Sequence, residues 1–184
     1  MSNAETYFRY LVNEIHTTIV ATVDDDGLPV TAAIDMMDCD ENSLYFLTAK
    51  GKGFYDRLIK RGFLAFTALK GEDTMSSVAL SVRGKVRELG YEKIPELFEK
   101  NPYMYQIYPT DESMQALTAF QIFEGTGEWF DLSKKPIERA SFHFSDGSER
   151  FIQWSRRPLI KTTGGLRFTF IDNLLCQEIE FLCI

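Results

Sequence analysis

Hydrophobic and polar positions alternate along this chain in blocks that predict strands, with helical spacing at three places. Glu5–Ile15 sets Phe8, Leu11, Val12 and Ile15 at intervals of a helical face. His16–Val23, HTTIVATV, is rich in β-branched side chains and predicts a strand. Asp24-Asp25-Asp26-Gly27 predicts a hairpin turn, because Asp-Gly tolerates the positive φ of a tight hairpin. Leu28–Asp38 returns as a second strand, with Pro29 near its start, where a missing N–H does little harm. Asp40-Glu41-Asn42 then turns the chain into a third strand, Ser43–Thr48.

A Gly/Lys turn, Ala49–Gly53, leads into a helix over Phe54–Arg61, for which Gly62 is the C-terminal cap. Phe63–Lys70 predicts a fourth strand and Gly71-Glu72-Asp73 a turn. Ser76–Leu89 is a long, imperfectly alternating strand in which Gly84 predicts a bulge or bend. Tyr91–Asn101 has Ile94, Leu97 and Phe98 on one helical face and stops at Asn101-Pro102. Tyr103–Met114 is an aromatic-rich connector without a clear period, and Ala116–Leu132 is a final strand with a Gly-Thr-Gly bend. About six strands with helices at the connections predict a mainly β fold, a small closed or nearly closed antiparallel barrel, since closure removes edges. This reading places one domain over residues 1–132 and an extension over 133–184. Within the extension, Ala140–Phe144 and Phe151–Trp154 read as short strands, and Gly164-Gly165 precedes the apolar run Leu166–Ile171.

Composition narrows the function. The 184 residues are 45% hydrophobic and 26% charged, an ordinary globular balance. A net charge of −7 argues against nucleic acid or an anionic membrane as a general partner, because counterion release needs a basic face. No apolar run approaches the roughly 20 residues that span a bilayer, and the N-terminus lacks a signal-peptide layout. Cys39, Cys176 and Cys183 form no paired framework, so the expected compartment is the cytoplasm. Burial aside, Asp38 and Asp40 should raise the Cys39 thiol pKa, which argues against a reactive nucleophile. His16 and His143 are the only histidines and share no ligand-spaced cluster; no metal site and no histidine-based hydrolysis is expected.

Against this acidic background Ser43–Arg61 carries five cations, Lys50, Lys52, Arg57, Lys60 and Arg61, and one acid, Asp56. Lys50 and Lys52 stand where a helix begins, the end at which its dipole disfavours cations. Their placement makes sense if an anion arrives, since helix N-termini offer free N–H groups to phosphate. The plainer reading of two lysines in a Gly-rich turn is a solvated loop, and Arg57, Lys60 and Arg61 read as a solvated helix face. Phe54, Leu58 and Ile59 read as core, and Met36 and Met37 as gap-filling core residues.

The order IVATVDDDGLPVTAAIDM, SLYFLTAKGKGFYDRLIKRG, VALSVRGKVREL, AFQIFEGTGEWFDLSKKP resembles the pyridoxamine 5′-phosphate oxidase-like family of FMN-binding split barrels. The similarity is to the branch of nitroimidazole-resistance proteins and predicted flavin-nucleotide-binding proteins. It implies a six-stranded antiparallel split β-barrel with flanking helices, and a homodimer with FMN at the interface. By the resemblance, Thr48, Ala49, Lys50 and Lys52 would meet the FMN phosphate and ribityl chain. Ala33, Ile34, Asp35 and Met36 would run beside the isoalloxazine edge through their backbone amides, and Arg83 would contact the site across the interface. The sequence departs from true pyridoxamine phosphate oxidases in lacking a match to their arginine-rich C-terminal segment. Cys176 and Cys183 also lack the close spacing of the iron–sulfur domain that ends some longer relatives.

Two functions follow. One is an FMN-dependent oxidoreductase that passes electrons from a reduced nicotinamide or similar donor to a small acceptor. The other is a non-enzymatic flavin- or haem-binding protein. Tyr103, Tyr105 and Tyr108 read either as a lid over the ligand or as a packed connector.

Overall fold

The computed structural model describes residues 3–148. Helix α1 (Asn3–Tyr10) runs into a π turn (Leu11–Ile15), then strands β1 (Thr17–Val23), β2 (Pro29–Cys39) and β3 (Leu44–Ala49). Helix α2 (Gly53–Arg61), β4 (Phe63–Lys70), a 3-10 turn (Thr74–Ser76) and β5 (Val78–Gly90) follow. Three short helices, α3 (Ile94–Lys100), α4 (Met104–Ile107) and α5 (Asp111–Gln115), precede β6 (Leu117–Asp131) and β7 (Glu138–Ser145). The calls on Phe151–Trp154, on Gly164–Ile171 and on Cys176 and Cys183 lie outside the described residues.

All seven strands form one antiparallel sheet in the order β3-β2-β1-β4-β5-β6-β7, and a β3–β6 ladder closes six of them into a barrel. Strand β6 is the hinge of this closure. Its first half, Leu117–Ile122, pairs with β3; its second half, Glu124–Asp131, stays paired with β5 and takes β7 on its other side. β7 therefore lies past the boundary read at residue 132, and the sheet runs across that boundary.

Alternation explains the interior. On β4, Leu64, Phe66 and Ala68 are buried while Ala65, Thr67 and Leu69 face out. They join Val20, Met36, Leu44, Phe46, Leu80, Val82, Phe120 and Ile122 in the main core, where each large side chain contributes on the order of 1.5–3 kcal/mol. The amphipathic α2 adds Phe54 and Leu58 to this core, and α1 adds Phe8, which packs edge-on against Phe144 at 5.0 Å. A second cluster lies on the other side of β3 and β6, where Tyr45, Leu47 and Ala119 meet Ile94, Leu97 and Phe98 of α3.

Gly84 marks a close approach and not a bulge. A Cβ there would come within 2.7 Å of Ile122 Cγ2, whereas the register shifts fall just after it, between Lys85 and Val86 and between Glu88 and Gly90. The Gly-Thr-Gly segment serves β7. Gly125 and Gly127 stand directly opposite Phe144 and Phe142, whose rings occupy the space a Cβ would need.

Candidate functional site: the split between two strands

β3 ends at Ala49 and the chain turns through Gly51, at φ +79°, into α2. Lys50 N–H donates to the Ala116 carbonyl at 2.9 Å, which pins this turn to the start of β6. Lys52 is the N-cap of α2 in extended conformation, and no side chain caps the helix. The first-turn N–H groups of α2 therefore point outward without intrahelical acceptors, at the positive end of the helix dipole. Lys50 and Lys52 are exposed, and neither makes an ion pair or side-chain hydrogen bond with another described residue. This is a concentration of positive charge that no described side chain neutralises.

Arg57 joins them. Its Nε donates to Thr22 Oγ1 at 2.7 Å, and its Nη1 stands 3.1 Å from where a Gly53 Cβ would be. The guanidinium is thus folded back over the first turn of its own helix, not spread on a solvated face. Lys60 pairs with Asp25, and Arg61 donates to the carbonyls of Val23 and Asp24, so these two anchor α2 to the first hairpin. Thr48 is buried and pairs with Thr118 on the inward face that carries Phe46 and Phe120. Thr118 Oγ1 donates to Glu88 Oε1 at 2.7 Å.

Across from the turn lies β2, whose two halves differ. Only Met36–Cys39 pairs with β3, with a register shift between Met36 and Asp38. Pro29–Asp35 pairs with β1 alone. The Met36 N–H donates to the His16 carbonyl at 2.9 Å. Because hydrogen-bonded pairs alternate in an antiparallel ladder, Ile34 and Ala32 direct their backbone groups to β1, and Ala33 and Asp35 direct theirs to the open edge. Of the four β2 positions, Ala33 and Asp35 thus face the split, Ile34 is turned toward β1, and the Met36 side chain is fully buried in the core.

At the end of this edge the side chains of four residues converge. Thr17 Oγ1 donates to Asp35 Oδ1 at 2.6 Å, Tyr103 Oη donates to Asp35 Oδ2 at 2.9 Å, and His16 Nε2 lies 2.7 Å from Tyr103 Oη. Burial, and then the Asp35 carboxylate, push the Tyr103 hydroxyl pKa well above its ordinary value, so it remains a donor. Tyr103 alone of the three connector tyrosines reaches the split. Tyr105 packs edge-on against Phe98 at 5.1 Å, and Tyr108 lies beside the same ring. His16 is 87 residues from Tyr103, and no spacing in the sequence links them. Arg57 was missed for a different reason: its helical position faces solvent by period, and only the buried Thr22 opposite pulls it back. Burial and Asp38 push the Cys39 thiol up to about 11, which leaves it protonated at neutral pH.

Arg83 stands elsewhere, exposed on the outer face of the sheet, with Nε donating to Thr126 Oγ1 at 3.0 Å. That face is short of charge. Ala33, Ile19, Thr67 and Ser81 form one row of cross-strand neighbours, and Thr31, Ala21, Ala65 and Arg83 the next. Ile19 is 54% and Leu69 63% exposed on it.

The family model for pyridoxamine 5′-phosphate oxidase matches residues 5–134. No curated protein matches the sequence. Among solved structures, a NimC/NimA family protein from Clostridium acetobutylicum superposes with a TM-score of 0.64 at 14% identity, covering 77% of this chain and 92% of its own. A pyridoxamine 5′-phosphate oxidase-related, FMN binding protein from Nostoc punctiforme gives 0.52 at 11% identity, over 79% and 87%. A heme binding protein from Mycobacterium smegmatis gives 0.60 at 9% identity, over 78% and 59%. At these identities the neighbours share the split-barrel fold with this chain. Among the described residues no helix is long and apolar enough to cross a membrane.

Proposed function

Because the chain belongs to the pyridoxamine 5′-phosphate oxidase family, we propose that it binds FMN in the split between β2 and β3 and acts as an oxidoreductase. In this reading it passes electrons from a reduced nicotinamide or similar small donor to a small acceptor. The observation that carries it is the pairing of two features across one gap. On one side lies an uncapped helix start with Lys50 and Lys52 paired to no described residue; on the other lies a strand edge whose backbone groups face no described strand. A flavin nucleotide is complementary to both, since its phosphate is an anion and its ring edge carries acceptors.

Lys50, Lys52 and the first-turn N–H groups of α2 hold the phosphate, and Arg57 adds a third cation. Thr48 and Ala49 supply the backbone that leads into the turn. The Ala33 and Asp35 amides border the ring edge, with Ile34 and Met36 holding the strand in register behind them. The flavin supplies hydride or electron transfer when bound. The chain's own task is to donate hydrogen bonds toward charge that develops on the ring and to keep the slot dry. A second copy would cover the outer sheet face that holds Ile19, Ala21, Ala65 and Leu69, making a homodimer whose Arg83 faces the interface. The expected compartment is the cytoplasm.

The Nostoc neighbour, described as FMN binding, supports the ligand. The mycobacterial neighbour, described as heme binding, supports a second reading in which the chain carries or senses flavin or haem without turnover. Colour separates the two. The account expects purified protein to be yellow and to bleach on addition of NADH or NADPH under nitrogen. Yellow protein that ignores every donor and acceptor would leave the carrier reading standing, and a Soret band in place of flavin absorbance would overturn the FMN assignment.

A further inference from the structure

The backbone at His16 is irregular twice over. The five residues before it wind as a π turn, closed by His16 N–H donating to the Leu11 carbonyl at 2.7 Å. His16 itself stands at φ 69°, ψ −63°, the strained γ-turn geometry. Among the described residues it is the only non-glycine with positive φ. Such strain persists only where the surroundings impose it, and it clusters where placement matters. Here it brings the imidazole edge-on to the Tyr103 ring and carries the His16 carbonyl to the Met36 N–H, at the end of the open edge.

Counting hydrogens shows what the cluster depends on. The Tyr103 hydroxyl has one proton and two neighbours, His16 Nε2 at 2.7 Å and Asp35 Oδ2 at 2.9 Å. His16 Nδ1 lies 3.4 Å from the Val12 carbonyl, which only accepts. With both imidazole nitrogens protonated, Nδ1 donates to Val12, Nε2 donates to Tyr103, and Tyr103 donates to Asp35; each contact is then a bond. The imidazolium also lies 3.6 Å from the Asp35 carboxylate. A neutral imidazole that carries its proton on Nε2 keeps the bonds to Tyr103 and on to Asp35 and gives up only the longer Val12 contact, so the chain from His16 to Asp35 stands in either charge state.

We propose that His16, Tyr103 and Asp35 are positioning residues whose hydrogen-bonded chain clamps the open edge of β2 and so sets the grip on the isoalloxazine. The proposal rests on the flavin reading of the split. The ionisable groups that face His16 are Asp35 on β2 and Tyr103 just ahead of α4. Other charges on the elements packed around it are engaged: Glu14 of the π turn with Lys70 of β4, Asp38 of β2 with Lys100 of α3, and Arg9 of α1 with Glu5.

Riboflavin is the probe, because it has no phosphate and so reads the ring edge alone. In fluorescence titrations Tyr103→Phe, which keeps the ring, and His16→Asn, which tolerates positive φ, are each expected to bind riboflavin about tenfold more weakly than the wild type, the size of one hydrogen bond to a charged group. Riboflavin affinity unchanged in Tyr103→Phe overturns the clamp. An independent readout uses the ligand-free protein. The chain has two histidines, and the exposed His143 on β7 serves as an internal reference for imidazole nitrogen resonances. Tyr103→Phe is expected to move the His16 signals and leave His143 in place, and unmoved His16 signals overturn the clamp. Moved signals in a protein that binds no flavin retain the hydrogen-bonded cluster and overturn the flavin reading instead.

Discussion

Two glycines show how much of this fold is decided atom by atom. A Cβ on Gly125 would lie 2.2 Å from the Arg83 carbonyl oxygen and 2.8 Å from Gly84 Cα, both backbone atoms that cannot swing away. Gly62 is the contrast: it caps α2 at φ +70° with nothing within 4 Å of the same position. Gly125→Ala is therefore expected to destabilise by about 3 kcal/mol, at the upper end for overpacking, and Gly62→Ala by about 1 kcal/mol through φ alone. Urea unfolding of the two variants checks the ranking, and equal midpoints would show that β5 and β6 approach less closely than described. The cations of the basic stretch divide by the same local logic. Lys60 and Arg61 have acceptors on the first hairpin, Arg57 has Thr22, and Lys50 and Lys52 have no described partner. Charge left without a described partner next to bare helix N–H groups is what supports the proposed anion site at this turn.

At the scale of elements, the period-two alternation of Phe63–Lys70 and the Asp-Gly hairpin were legible because each is a local signal. The reading of Phe63–Lys70 agrees with β4 end to end, and Gly62 caps α2 in the left-handed region as its position implied. Three things were not legible. The connector after Asn101 folds into helices of four and five residues, too short to show a period. Ala140–Phe144 reads as a strand and lies within β7, but the polar stretch before it, Ser133–Lys135, reads as the end of a domain, so the place of Phe142 and Phe144 in the main core was not legible. The division of β2 into a paired and an unpaired half is a property of the partner strand, since β3 leaves β2 at Met36 to follow β6. The candidate site inherited that limit: the turn proposed to hold a phosphate was visible as a run of residues, whereas the His16–Tyr103–Asp35 cluster joins three elements that only the closed barrel brings together.

For the whole molecule, closure of the barrel through β3 and β6 leaves two features of the described surface to account for. One is the split; the other is the outer face of β2, β1, β4 and β5, which carries small and apolar residues where an acidic chain of net charge −7 has charge to spare. Both are accounted for if two copies meet there and wall in the slot. Ile19→Glu, at the centre of that face, is expected to convert a dimer to a monomer by light scattering and to weaken flavin binding about tenfold or more, by burying an unpaired charge. A wild-type monomer that binds FMN as tightly as any dimer would remove the second copy from the account. The central claim, that an FMN phosphate completes the turn at Lys50 and Lys52, is tested most directly by comparing FMN with riboflavin on wild type and on Lys50→Ala/Lys52→Ala. Fluorescence titration at low salt is expected to show FMN bound more than tenfold tighter than riboflavin by the wild type, with that advantage lost in the double variant while riboflavin affinity is unchanged. Equal affinity of the wild type for FMN and riboflavin, or an FMN advantage that survives the double substitution, would contradict it.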